Sequence, residues 1–263
     1  MVLKRRSSSL GRLQGVVNSS QMADIEDGLG TVFAAAKFDA VIHLATSYGR
    51  NGQRVSDVFD TNARFALHVL EAAADAGVPT FINTDTSLDK FLNPYALSKR
   101  QFAEWGQSMA TQGRISFVNI RLEHMYGPGD DDSKFATHVV RSLLGEVPEL
   151  SLTKGEQLRD FVYIDDVVTA FHVLLDAAAS APDRTFIECD LGSGTAVSIR
   201  DFVEMAQQLT GSPTLLRFGA VPYRDGEVML TRADVSYLNG LGWTADTSLA
   251  DGLKKLIASE KEK

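Results

Sequence analysis

Tyr95 and Lys99 stand four residues apart in the run Tyr95-Ala-Leu-Ser-Lys99. That is a little over one helical turn, so on a helix both side chains leave from the same face. An ammonium held beside a phenol favours the phenolate and draws the tyrosine pKa down from about 10. A tyrosine tuned in this way can pass a proton to or from a sugar hydroxyl or a carbonyl oxygen. The spacing alone also fits the start of an ordinary amphipathic helix. Its weight comes from the preceding run, Ile82-Asn83-Thr84-Asp85-Thr86-Ser87, which reads as the end of a strand. Ligands collect at the carboxyl ends of strands in open parallel α/β sheets. A Thr84 hydroxyl there can hydrogen-bond the same substrate oxygen.

The elements needed to position these groups are visible in the apolar patterning. Residues 38–46 form a short apolar run of buried-strand type. Residues 55–76 repeat apolar side chains at helical spacing (Val58, Phe65, Val69, Leu70, Ala73), and Gly77 and Pro79 end that helix. A strand ends over 81–84, a helix follows over 95–109, and another strand over 115–122. Beyond Gly129 the elements shorten, with helices near 165–178, 199–209 and 249–258. Strands alternating with helices predict an α/β fold with a parallel sheet covered on both faces.

Composition removes several function classes. A chain of 263 residues, 44% hydrophobic, can bury a sizeable core. Its net charge of −8 argues against a generic nucleic-acid or anionic-membrane surface. No apolar run approaches the roughly 20 residues that span a bilayer. The single cysteine, Cys189, fits a reducing compartment and a cytoplasmic location, and reads as a buried strand residue. His43, His68, His124, His138 and His172 are scattered, so no metal site is visible. Asp130–Asp132 reads as a solvated loop. Lys4, Arg5 and Arg6 precede the first acidic residue, Asp24; a basic start is also the composition of an organellar transit peptide.

Taken together, the separated motifs resemble the extended short-chain dehydrogenases, the NAD-dependent epimerase/dehydratase family. They are His43-Leu44-Ala45-Thr46, Asn62, the Thr84, Tyr95 and Lys99 set, Arg121-Leu-Glu-His-Met-Tyr-Gly-Pro-Gly129, Arg159-Asp-Phe-Val-Tyr-Ile-Asp-Asp166 and Leu241-Gly242-Trp243. Their order is that of the family, and they cover nearly the whole chain. The resemblance implies a Rossmann-like doubly wound sheet over 1–130. It also implies a smaller, interleaved nucleotide-sugar-binding domain over 131–263, with segments near 155–190 returning to the sheet. Thr84, Tyr95 and Lys99 are the implied catalytic residues. NADP, or NAD, is the implied cofactor, held by Arg5, Arg6, Leu44, Ala45, Thr46 and Asn62 together with Tyr95 and Lys99. The implied substrate contacts are Asp85, Thr86, His124, Lys134, Phe135, Arg159 and Arg224, the arginines suiting a diphosphate. His43 itself reads as a buried strand histidine. The runs INTDTSLDK, FVNIRLEHMYGPGD and GEQLRDFVYIDDVV look most like the family's nucleotide-sugar 4-ketoreductases of surface polysaccharide (O-antigen) synthesis. A homodimer through the helices at 55–76 and 95–109 is the implied assembly.

Three departures qualify this resemblance. The family's dehydratases follow the catalytic threonine with Asp-Glu, and here Thr86 replaces the glutamate. The asparagine usual before Tyr-Gly-Pro is His124. The family also opens with a strand, a GxxGxxG turn and a helix that seat the pyrophosphate. Met1-Val-Leu-Lys-Arg-Arg6 resembles the tail of the second strand, so relative to the family the first strand and helix, roughly 25–30 residues and most of a βαβ unit, are expected to be missing. The expected activity is reduction at C4 of a nucleotide-linked 4-keto-deoxysugar. The rivals are 4-epimerisation or dehydration on the same fold and a truncated paralogue that only binds. NADP is expected over NAD, because Lys4, Arg5 and Arg6 stand where an acidic residue would bind a ribose 2′-hydroxyl.

Overall fold

A computed structural model describes residues 1–263 apart from 14, 19, 20, 51, 182–184 and 263. By compactness the chain divides into a first unit of residues 1–85, 89–119 and 178–187, and a second of 86–88, 120–177 and 188–263.

In the first unit, β1 (Val2–Lys4) pairs in parallel with β2 (Met22–Asp24), Lys4 opposite Asp24. A short helix, α1 (Leu29–Ala34), leads to β3 (Ala40–His43). The helix expected over 55–76 is present, but as three joined parts: α2 (Val55–Phe59), a π-helical stretch (Asp60–Phe65) and α3 (Ala66–Asp75). Gly77 ends it at φ +74°, a left-handed conformation that glycine adopts without a Cβ penalty. Next come β4 (Thr80–Thr86) and α4 (Pro94–Thr111). The α4 helix starts sharply because the Asn93 side chain accepts from Ala96 N at 2.8 Å and Pro94 occupies the first turn. β5 (Ser116–Leu122) follows. A four-stranded sheet is ordered β3-β4-β5-β9, where β9 is Phe186–Leu191, and β3 runs parallel to β4. β1 and β2 form a separate two-stranded sheet.

The seating of α4 on this sheet is decided by aromatics. Phe81 of β4 stacks on Phe117 of β5 at 5.6 Å between centroids, and Phe102 of α4 meets both edge-on at 5.9 and 5.7 Å. All three are fully buried, each a contribution of about 1.5–3 kcal/mol. Gly106, one turn further along α4, lets the helix close down: a Cβ there would lie 2.2 Å from the Phe117 ring.

The second unit holds β6 (His124–Tyr126), α5 (Phe135–Leu144), β7 (Glu149–Leu152) and β8 (Leu158–Tyr163). Its remaining elements are α6 (Ile164–Ser180, whose last residues fall in the first unit), β10 (Ala196–Ser198), α7 (Ile199–Thr210), β11 (Leu215–Phe218), α8 (Ser236–Gly240) and α9 (Leu249–Lys261). β8 lies between β6, which is parallel to it, and antiparallel β10; β11 pairs in parallel with β7. The core joins Tyr126, Val139, Leu143, Phe161, Phe202, Leu253 and Leu256.

By compactness the division falls at residue 119, inside β5, where the expected boundary was 130; the chain leaves one sheet at Leu122 and enters another at His124. The strand within the expected 155–190 return that joins the four-stranded sheet is β9, while residues 158–163 pair with β6 and β10.

Gly106→Ala is expected to destabilise the protein by about 1–3 kcal/mol, the usual cost of overpacking, because the stacked Phe117 ring has nowhere to retreat. Urea unfolding at constant m-value measures it.

Candidate active site

At the carboxyl end of β4, side chains alternate between the two faces of the strand. Phe81, Asn83 and Asp85 share one face and are buried; Thr84 and Thr86, on the other, are half-buried. Thr84 donates its hydroxyl to the His43 carbonyl at 3.1 Å, which ties the ends of β3 and β4. Tyr95 lies in the first turn of α4, half-buried, its carbonyl accepting from Ser98 Oγ at 2.9 Å. Its ring rests on Tyr48 at 5.1 Å, and the Arg50 guanidinium lies 5.0 Å from the Tyr48 ring.

Lys99, one turn on, is 2% exposed. Burial drives its pKa down to about 8, against the pull of the Asp85 carboxylate, which favours the ammonium. His43 sits among Phe65, Phe81 and Phe102, with ring centroids at 6.3, 5.8 and 5.6 Å. Burial, and secondarily the Lys99 charge, push His43 down to about 3, so it is neutral at physiological pH. Its Nε2 has no hydrogen-bond partner among the described residues. This is the buried strand histidine expected from sequence.

Asn62 lies in the π-helical stretch, where helices are often distorted for function. Its side chain accepts from Ser47 N at 2.7 Å and donates to Ser47 O at 2.8 Å and Ser98 Oγ at 3.0 Å. It therefore clasps the segment leaving β3 to the first turns of α4. Leu44 and Ala45 of that segment are exposed and Thr46 is half-buried. At the end of β1, Arg5 is exposed, while Arg6 donates to Asp27 at 2.5 Å and stands 3.9 Å from Asp24. Lys4 pairs with Asp24. The cationic strand end thus meets carboxylates from β2 and the turn after it, which the run Lys4-Arg5-Arg6 alone does not reveal.

In the second unit, Thr86 Oγ1 accepts from Leu88 N at 3.3 Å. Arg159, 7% exposed, donates to Glu227 at 2.5 Å and to the Leu158 carbonyl at 2.8 Å. Burial lowers its pKa, while Glu227 and Glu123 oppose that shift. Glu227 lies in a turn closed by its N–H donating to the carbonyl of exposed Arg224 at 3.0 Å, so both predicted arginines meet at this loop. His124 packs on Phe161 at 5.8 Å. Lys134 caps α5, and Phe135 packs on Phe202 at 5.5 Å, as a core residue does.

Sequence reasoning passed over Tyr48, Arg50, Asn83, Asn119 and Glu227. Asn119 carried a signal: it interrupts the apolar run Phe117-Val118-Asn119-Ile120, and a buried amide demands a partner, whereas Asn83 opens the polar stretch to Thr86 and carried none. Tyr48 and Arg50 carried none beyond following the His43–Thr46 motif.

The family described as NAD dependent epimerase/dehydratase matches residues 3–188. The chain belongs to that family. CDP-abequose synthase of Salmonella typhimurium is 36% identical over 225 residues, 82% of this chain and 75% of that protein. MoeE5, solved in complex with UDP-glucose and NAD, is 28% identical with a TM-score of 0.79, covering 92% of this chain and 86% of its own. The UDP-glucose 4-epimerase of Thermotoga maritima, solved with UDP-glucose, shares the fold: TM-score 0.83 at 21% identity, covering 99% of this chain and 90% of that one.

The residues present fit the reactive end of a nicotinamide dinucleotide. The segment after β3 has an exposed Leu44–Ala45 edge, its Tyr48 ring rests on Tyr95, and Asn62 ties Ser47 of that segment to Ser98 of α4, the helix that carries Lys99. For the pyrophosphate, the described residues of this unit offer exposed Arg5. Gly28 leads only into the six-residue α1.

His43 is expected to make the protein acid-sensitive. Its folded pKa lies below its unfolded value, so between about 6.5 and 3 the unfolded chain binds a proton that the native state does not, and stability falls as pH falls. His43→Leu should reduce that slope by up to about 1.4 kcal/mol per pH unit, measured by urea unfolding from pH 7 to 4.

Proposed function

We propose that the chain is an NAD(P)-dependent oxidoreductase of nucleotide-sugars that reduces a 4-keto-deoxysugar at C4. The observation that carries this reading is the pairing on α4 of Tyr95 with the deeply buried Lys99, one turn apart, at the end of the strand that bears Thr84. The identity with CDP-abequose synthase supports a deoxysugar linked to a cytidine diphosphate and a place in surface-polysaccharide (O-antigen) synthesis. Thr86, where a dehydratase has glutamate, supports reduction over water elimination.

A dinucleotide held by Leu44, Ala45, Thr46 and Asn62 would supply the hydride that the carbonyl carbon needs. Tyr95 donates its phenolic proton to the oxygen as that oxygen gains charge. Lys99 stabilises the phenolate left behind, and below about pH 8 it carries the charge to do so. Thr84 spends its own proton on His43 O, so its oxygen is oriented to accept; donating to the substrate oxygen requires the hydroxyl to rotate away. Asn62 holds the two segments that flank the reacting atoms in register. In the second unit, Arg159 and Arg224 are the cations for the nucleotide diphosphate, with Glu227 releasing Arg159 as phosphate arrives.

The assembly proposed is a homodimer through the helices at 55–76 and 95–109. An apolar groove of about 330 Å³ between α2 and α4 supports it, lined by Val55, Phe59, Pro94 and Leu97, with Val55 64% exposed. A monomeric mass by light scattering at micromolar concentration would exclude this dimer.

Tyr95→Phe should lower kcat by at least about 100-fold, the usual worth of a positioned acid, with the nucleotide-sugar Kd within about twofold of wild type. Stopped-flow NADPH oxidation with a CDP-4-keto-6-deoxyhexose, alongside calorimetric binding, measures both. Net consumption of added NADPH identifies a reductase; sugar conversion without it identifies an epimerase.

A further inference from the structure

Asp85 has the wrong surroundings for a group that meets only substrate. It is 5% exposed, on the face of β4 that Phe81 and Asn83 share beneath α4. Asn119 Nδ2 donates to Asp85 Oδ2 at 3.0 Å, and Asn119 Oδ1 accepts from Asn83 Nδ2 at 2.8 Å. Both asparagines are 0% exposed, Asn83 next to Phe81 and Ile82 in β4 and Asn119 between Val118 and Ile120 in β5. Burying two amides incurs a desolvation cost, and their hydrogen bonds form a relay, Asn83 to Asn119 to Asp85, that ends on one carboxylate. The chain also buries one lysine in this layer, Lys99, on the helix that covers it.

We infer that Asp85 is a positioning residue for the proton-transfer pair: a buried counter-charge, held by Asn119, which Asn83 holds in turn, that keeps the Lys99 ammonium charged and in place beside Tyr95. The inference rests on the reading of Tyr95 and Lys99 given above, and it moves Asp85 from the sugar to the lysine. A lone ammonium in an apolar layer tends to shed its proton, and an opposite charge nearby retains it. The groups around Lys99 leave this task to Asp85. Tyr95 lies on its own helix, His43 of β3 is neutral, and Asn119 of β5 carries no charge. The directions agree: burial lowers the lysine and Asp85 raises it, with the balance at about 8. Holding Asp85 by Asn119 is what a fixed counter-ion requires, since a carboxylate free to turn outward would take water as its partner.

The test reads the lysine itself, in the full chain. Protein labelled with ¹³C at lysine is titrated by NMR, with Lys99 assigned by comparison with Lys99→Arg. Wild-type Lys99 should titrate near 8. Asp85→Asn should lower that midpoint by roughly one unit or more, and Asp85→Glu should leave it close to wild type. In NADPH oxidation, the alkaline limb of kcat should move down by the same amount in Asp85→Asn, with KM for the nucleotide-sugar little changed. Should Asp85→Asn fold poorly, the double variant Asp85→Asn with Lys99→Met should regain most of the lost thermal midpoint, because removing one partner of a buried pair is far worse than removing both. An unmoved Lys99 midpoint, a rise in KM without a pH shift, or additive losses in the double variant would overturn the assignment. If wild type turns over no 4-keto-sugar, the proposed reaction fails, while the titration still judges the role of Asp85.

Discussion

An ammonium taken out of water costs several kcal/mol unless the surrounding protein returns what the solvent gave it. In this chain that ammonium is Lys99, and the architecture of the first unit follows from accommodating it. α4 must lie flat against β4 and β5, which Gly106 allows by leaving the Phe117 ring room to stack. Apolar seating alone would neutralise the lysine, so a carboxylate shares its layer, and one buried amide, itself held by a second, fixes that carboxylate. His43 completes the surroundings by staying uncharged among three phenylalanines. The helix is thus fixed by apolar packing and the charge by polar packing, in the same few ångströms.

The second unit handles buried charge differently. Asp160 is fully buried and accepts from Ser193 N at 2.7 Å, Ser193 Oγ at 2.6 Å, Gly194 N at 2.9 Å and Ala233 N at 3.1 Å. Four donors leave this carboxylate no capacity for a ligand, and its role is to pin the loop after β9. Among the described residues its neighbour Arg159 has one salt-bridge partner, Glu227, on a turn with exposed Arg224 beside it. The adjacent pair Arg159-Asp160 thus divides into a carboxylate saturated by four donors and a guanidinium held by one carboxylate and one carbonyl.

The beginning of the chain shows how tertiary neighbours revise a charge argument. Lys4, Arg5 and Arg6 read as a cationic strand end suited to a 2′-phosphate, but β2 and the turn after it bring Asp24 and Asp27 onto Lys4 and Arg6. Arg5 keeps its exposed charge. The expectation of NADP over NAD therefore rests on one guanidinium and not on three cations, a distinction that strand pairing makes and residue order does not.

Much of the fold was legible because it depends on local rules. The helices over 55–76 and 95–109 and the strands before and after them followed from apolar periodicity and from Gly77 and Pro79, which act within a turn or two of chain. The Tyr95–Lys99 pair was legible for the same reason, since helical geometry alone puts positions four apart on one face. The division at residue 119 was not legible, because it depends on which strand β6 chooses as neighbour, and that choice is made by residues 158–163 far along the chain. Nor could sequence distinguish Asp85 as a substrate ligand from Asp85 as a buried counter-ion. Alternation assigns Asp85 to the face opposite Thr84, but only the sheet, with Asn119 on the adjoining strand and α4 laid across it, decides that this face is the dry one.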